Sequence, residues 1–250
     1  MILTIAVREF KSLFLSPLAW SILAVVQLIL AFLFLGRVEL FQLYQSQLLA
    51  MDSGPGVTEI VVPNLLGNAA IVLLLVVPLL TMRLVSEERR NRTLSLLFSA
   101  PISMTEIILG KYLGIMMFLL LLLALIALMP LSLLAGGGLD FGMLFSGLLG
   151  LALLLAGFAA VGLFMSTLTQ YPTVAAIGGF GVLLLFWILD WTGEGASGDS
   201  SLLAYLSLLN HYKPFLEGIF DSADAVYHGL LITTFLAFSI RRLDADRLGG

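Results

Sequence analysis

Apolar residues run unbroken along this chain for long stretches, and the polar residues gather between those stretches. Six runs stand out, at about 17–35, 65–85, 112–135, 143–168, 172–191 and 225–240, the last of them short and carrying His228. A helix needs roughly 20 apolar residues to cross a hydrocarbon core about 30 Å thick, whereas a barrel strand needs about ten in strict alternation. None of the runs alternates. Backbone groups in lipid must be satisfied within the segment, so the pattern predicts an all-α polytopic membrane protein with six transmembrane helices.

Three segments outside the runs carry patterns of their own. In 1–16, Ile2, Ile5, Ala6, Glu9, Phe10, Leu13 and Phe14 make a mostly apolar stripe at helical spacing, with Arg8, Lys11 and Ser12 opposite. This predicts an interfacial helix along the inner leaflet before Pro17 opens the first span. Between the second and third runs lies Ser86-Glu87-Glu88-Arg89-Arg90-Asn91-Arg92-Thr93, the densest charge cluster of the chain. A charge at mid-bilayer costs roughly 3 kcal/mol, so this cluster belongs in water. A charged helix is expected over 87–99, stopped by Pro101. Ser103-Met104-Thr105-Glu106 then reads as a capping box that starts a new helix, which carries Lys111 at the interface and continues as the third span. In the outer segment 193–224, an apolar middle at 202–209 followed by His211, Tyr212 and Phe215 predicts a helix dipping into the outer interface with an aromatic belt.

The composition agrees with this class: 60% of the 250 residues are hydrophobic and 11% charged, against about 25% charged in soluble domains. A single transmembrane domain over 1–250 is expected, with little room for a soluble one. The absence of cysteine excludes disulfides, thiolate chemistry and soft-metal sites. The net charge of −4 conceals a sorted distribution and carries no sign of nucleic acid as a partner. With the N-terminus inside, Arg8, Lys11, Arg83, Arg89, Arg90, Arg92, Lys111, Arg241, Arg242 and Arg247 face the cytoplasm, and of the twelve basic residues only Arg37 and Lys213 face out. Glu39, Asp52, Glu59, Asp140, Glu194, Asp199, Glu217, Asp221 and Asp224 fall in the outer loops, so both termini are expected to be cytoplasmic. The charged residues before the first run, and the lack of a small-residue cleavage site before Arg37, argue against a cleavable signal peptide.

Enzyme chemistry finds little support. His211 and His228 are too few and too far apart for a metal site, and neither His-Glu-x-x-His nor Gly-x-Ser-x-Gly occurs. Asp190 is the one carboxylate inside a run, near its outer end. A proton-driven transporter needs ionisable groups at mid-membrane, so any transport here points to external energy input. No catalytic, cofactor-binding or metal-binding residue is expected.

An amphipathic helix, a first span, and a second span ending in Thr81-Met82-Arg83 come first. Ser86-Glu87-Glu88-Arg89 and Arg92-Thr93-Leu94-Ser95-Leu96-Leu97-Phe98-Ser99-Ala100-Pro101-Ile102-Ser103 follow, then Ile107-Ile108-Leu109-Gly110-Lys111-Tyr112. This order resembles the permease subunits of type-2 ATP-binding cassette (ABC) transporters, most closely the gliding-motility-associated subgroup. The resemblance extends to Asn210-His211-Tyr212-Lys213 and Gly218-Ile219-Phe220-Asp221, and so covers nearly the whole chain. Asn91-Arg92 stands where such permeases often have a small residue or Gly before Thr.

The resemblance implies a subunit of the bacterial cytoplasmic (inner) membrane in which 86–111 is a coupling region docking on a separate ABC ATP-binding subunit. Glu87, Glu88, Arg89, Arg90 and Arg92 then supply charge-assisted contacts, Leu96 and Leu97 apolar anchors, and Thr93 and Pro101 belong to the same segment. ATP and Mg bind in the partner. The nearest approach to a phosphate loop here is Gly110-Lys111, with Tyr112 in place of Ser or Thr and Thr105 in place of Gly. Six spans make half a transporter, so a second permease copy or a paralogous membrane subunit is implied, with a pathway between them for which Asn64, Asn68 and Thr81 are the candidate lining residues. Small residues at Gly142, Ser146 and Gly150, at Ala152, Ala156 and Ala160, and at Ala175, Ala176, Gly178, Gly179 and Gly181 suit close packing between subunits or within one. The segment 192–224 corresponds to a re-entrant outer loop. Export of a substrate is the implied activity; the alternative is an ATP-driven mechanical or assembly module acting on a periplasmic partner.

Overall fold

The computed structural model describes residues 1–49, 56–94, 102–135, 138–193 and 205–249, which form helices and turns and no strand. The helices are α1 (Ile2–Leu15), α2 (Pro17–Leu49), α3 (Val57–Thr81), α4 (Ser86–Arg90) and α5 (Met104–Leu131), the last continued by a 3₁₀ turn, Ser132–Ala135. They are followed by α6 (Phe141–Leu168), α7 (Pro172–Gly193), α8 (Lys213–Leu216) and α9 (Ser222–Gly249). Six of them, α2, α3, α5, α6, α7 and α9, are long and apolar enough to span a bilayer.

Local chemistry sets the helix ends. Ser16 is extended, at φ −88° and ψ 133°, because the residue before a proline is pushed out of the helical region, and this bends α1 away from α2 at Pro17. The capping box forms as read: Ser103 Oγ accepts from the Glu106 N–H at 3.2 Å, and the Glu106 carboxylate accepts from the Ser103 N–H at 3.1 Å. Asp140 caps α6 through Oδ1, which accepts from the N–H groups of Gly142 and Met143 at 2.8 and 3.3 Å.

The charged helix expected over 87–99 is broken: α4 ends at Arg90. Thr93 N–H donates to the Glu88 carbonyl at 3.0 Å and Arg92 N–H to that of Arg89 at 3.2 Å, a Schellman turn with Arg92 in the left-handed region at φ 57°. That is the position where the resembling permeases often carry a small residue or Gly. A side chain there costs about 1 kcal/mol in backbone strain. The same turn closes α8, with Gly218 at φ 84° and bonds from Ile219 to Pro214 and from Gly218 to Phe215.

Lipid is as apolar as leucine, so burial alone does not hold membrane helices together; close contact does. The centre is α6, which packs against α3, α5, α7, α8 and α9. Its small residues admit neighbours at short range. A Cβ on Gly147 would lie 2.5 Å from Leu66 Cδ1, one on Gly150 2.7 Å from Phe215 Cγ, and one on Gly162 3.0 Å from Thr81 Cβ. On α7, Gly178 meets Met165 and Gly179 meets Pro78, whereas Gly181 has nothing within 4 Å. Most of the small residues singled out from the sequence thus pack within the chain.

The aromatic belt expected of the outer segment is not what forms. Tyr212 and Phe215 are fully buried between α3 and α6, with the Tyr212 hydroxyl donating to the Leu66 carbonyl at 3.1 Å, and α8 follows Tyr212 directly. Residues 202–204 lie outside the described residues.

Gly162→Ala is expected to lower the unfolding free energy in detergent by about 1–3 kcal/mol through overpacking against Thr81. Adding Thr81→Ala should recover part of the loss. Equal stability of Gly162→Ala and wild type in a denaturation series would contradict the packing.

Candidate functional site

Polar contacts between elements concentrate at the two ends of the bundle, and the larger set surrounds α4. At five residues α4 is far too short to hold itself helical, so neighbouring groups must fix it. Its first turn is tied to the end of α6: Ser166 Oγ accepts from the N–H groups of Val85 and Ser86 at 3.0 Å each and donates to the Met82 carbonyl at 3.0 Å. Orphan donors at a helix start are satisfied here by a side chain from another span.

On one side Glu88 reaches Lys111 of α5 at 2.7 Å, and Glu9 of α1 reaches the same ammonium at 3.0 Å. Lys111 is 2% exposed. A lone buried ammonium costs several kcal/mol, so the two carboxylates are a condition for Lys111 to sit there charged. Gly110 and Gly114 make the approach of α1 possible: a Cβ on Gly110 would lie 2.6 Å from Ile5 Cβ, and one on Gly114 2.9 Å from the Ala6 carbonyl oxygen. The apolar stripe of α1 therefore packs against α5, with Ala6 fully buried, while Leu3, Val7, Arg8 and Lys11 stay exposed.

On its other side Arg89 donates to the Thr167 carbonyl at 2.8 Å and pairs with Asp246 of α9. Glu87 and Arg90, one helical turn apart on α4, are both exposed. With Arg83, Asn91, Pro172 and Thr173 they border a polar cup of about 400 Å³ between the end of α3, α4 and the start of α7. Adjacent residues of α4 thus divide the work: Glu88 and Arg89 bond inward, Glu87 and Arg90 face out.

Of the other residues singled out from the sequence, Arg92 and Thr93 are exposed at the Schellman turn, the Thr93 hydroxyl donating to the Glu88 carbonyl at 3.3 Å. Leu96, Leu97 and Pro101 lie outside the described residues. Asn64 and Asn68 are half-buried on one face of α3, where the Asn64 amide donates to the Ile60 carbonyl at 2.7 Å. Thr81 is fully buried, its hydroxyl donating to the carbonyls of Val77 and Pro78 at 3.0 and 3.3 Å. Sequence reasoning missed the joint roles of Glu9, Lys111, Ser166 and Asp246. A carboxylate inside the apolar stripe of α1 and the four-residue spacing of Gly110 and Gly114 were the available signals.

The opposite end is closed by a second polar cluster. His211 Nδ1 lies 2.6 Å from the Asp224 carboxylate and Nε2 2.8 Å from the Tyr205 carbonyl, and the ring stacks on Tyr227 with centroids 3.9 Å apart. A carbonyl only accepts, so Nε2 carries a proton. Burial pushes the Tyr212 phenol well above its ordinary range, which keeps it a donor to Leu66. Among the described residues no group of three or more His, Asp or Glu is placed to hold a metal ion.

A six-span helical bundle with a short charged helix bonded into the ends of several spans defines a polytopic membrane protein. Residues 39–190 match the model of the ABC-2 family transporter proteins, and the chain belongs to that family. No curated protein matches it.

Lys111→Met should lower stability by about 3–5 kcal/mol, because it leaves two carboxylates facing each other without a cation. The triple variant with Glu9→Gln and Glu88→Gln should regain most of that loss. Thermal unfolding of the three proteins in one detergent decides the matter; a single variant as stable as wild type would rule out the ion triad.

Proposed function

We propose that this chain is the permease subunit of an ATP-driven export system of the bacterial inner membrane. It is itself non-catalytic, and it couples ATP hydrolysis by a separate ABC ATP-binding subunit to movement of a substrate across the bilayer. The observation that carries the reading is the two-sidedness of α4, which offers Glu87, Arg90 and the adjoining cup outward while Glu88 and Arg89 bond to α5 and α9. In this reading the ATPase docks on the outward face, ATP and Mg stay with it, and closure of two ATPase subunits displaces α4. The displacement passes through Ser166 to α6, through Lys111 to α5 and α1, and through Arg89 to α9.

A second permease, identical or paralogous, faces the uncovered side of α3. Asn64 and Asn68 share that side with Ile71, Leu75 and Leu79, which are 56%, 53% and 38% exposed. On α7, Ile177 and Leu185 are also exposed, at 68% and 59%, which supports a pathway between two six-span units bordered by α3 and α7. Asn64 and Asn68 are the lining side chains of this reading. Thr81 shares the helix but packs on Gly162.

A second reading is favoured by α2. Its 33 residues span about 50 Å at 1.5 Å per residue, against a core of about 30 Å, so its last turns extend past the bilayer with Arg37, Glu39, Leu43 and Tyr44 exposed. Such a projection supports a periplasmic partner and a mechanical or assembly role, as the likeness to gliding-motility permeases implies. ATP-dependent flux in liposomes would remove this reading; hydrolysis controlled by an outer partner without flux would remove export.

Arg83→Glu with Arg90→Glu is expected to leave membrane insertion intact and to weaken ATPase binding about tenfold or more by inverting the charge of the cup. Unchanged co-purification and unchanged ATP hydrolysis in that double variant would overturn the assignment of α4 as the docking element.

A further inference from the structure

The apolar run of the sixth span ends near Ile240, yet α9 stays helical to Gly249, about 13 Å further. This extension is docked against the bundle. Leu236, Ser239, Leu243 and Asp246 recur at steps of three and four and turn inward, Ser239 and Leu243 being fully buried, whereas Arg241, Arg242, Asp244 and Arg247 are exposed. The inward stripe of the span therefore continues past the membrane and finishes in a carboxylate. Asp246 accepts from Arg89 and forms an ion pair, at 3.5 Å, with Arg242 one turn before it. Both partners of the Arg89 pair are about one-fifth exposed, and Arg89 Nε is buried with no acceptor of its own.

The orientation of α4 depends on side chains that reach it, as its length dictates. Ser166 brings in α6, Lys111 brings in α5 and α1, and Asp246 brings in α9. We infer that the extension of α9 is a strut and that Asp246 is a positioning residue: by holding Arg89 it sets the angle at which α4 presents Glu87 and Arg90, and so ties the sixth span to the ATPase-facing surface. The carboxylate acts through its charge, because Arg89 already spends one N–H on the Thr167 carbonyl and needs an anion for the rest of its guanidinium. The inference rests on the proposed function, which supplies the ATPase.

The test uses two measurements. In the complex of the full chain with its ATPase, Asp246→Asn is expected to co-purify at wild-type stoichiometry but to hydrolyse ATP at least about fivefold more slowly at saturation, with the KM for ATP unchanged. Asp246→Glu should hydrolyse near the wild-type rate. The chain has no cysteine, so nitroxides at Thr93→Cys and Arg247→Cys report the distance from the turn that closes α4 to α9 in nanodiscs without background, even with no ATPase present. That distance distribution should broaden in Asp246→Asn and stay narrow in Asp246→Glu. Identical distributions for wild type and Asp246→Asn would overturn the strut, as would a wild-type rate per complex in Asp246→Asn. A broadened distribution in a chain that recruits no ATPase would support the strut and overturn the proposed function.

Discussion

A lysine ammonium buried where three helices meet is the constraint on which the arginine-rich end of this protein depends. Lys111 is stable there only while Glu9 and Glu88 both face it, and those carboxylates stand on α1 and α4. The charge therefore fixes the N-terminal helix and the short helix between the second and third spans to the start of α5. The glycines on either side of that site follow from the same constraint, since α1 reaches Lys111 only where α5 has no Cβ in the way. The bonds of Ser166 and Asp246 complete a frame in which five residues of helix are held by side chains from three spans.

The opposite end is built on the same principle with different chemistry. There the residues just ahead of α9 pack inward so that Phe215 fills the space at Gly150 and Tyr212 reaches the backbone of α3. His211 and Asp224 lock that segment to the first turn of α9. Both ends are thus tied by polar contacts while the middle relies on close packing of small residues, which is what a bilayer imposes on helices that cannot use water to drive them together.

Much of this was legible in the sequence. The six spans follow from unbroken apolar runs, the bend at Ser16 from Pro17, and the start of α5 from the Ser103 and Glu106 pair, because each depends on residues close in the chain. The sorting of basic residues also agrees with the observed clustering of Glu9, Lys111, Glu88, Arg89 and Asp246 at one end. What escaped depends on contacts between distant residues. Lys111 and Glu9 are 102 positions apart and Arg89 and Asp246 are 157 apart, so nothing local distinguishes an inward Arg89 from an outward Arg90. The early end of α4 escaped for another reason: the Schellman turn places an arginine where glycine is usual, and only the departure noted at Asn91-Arg92 marked the site. The small-residue stripes were compatible with packing inside or between subunits, and the neighbours of Gly150, Gly178 and Gly179 decide for the inside at those positions.

Membership of the ABC-2 family and the geometry of α4 together point to energy delivered from outside the chain. Docking of a separate ATPase on α4 and its cup is open to a direct check, isolation of this protein from its native membrane in mild detergent followed by mass spectrometry of what remains bound. Docking at α4 requires a soluble ATPase carrying a Gly-x-x-x-x-Gly-Lys loop to be recovered, together with a second copy or a second membrane subunit. An intact membrane complex containing no ATPase would contradict it.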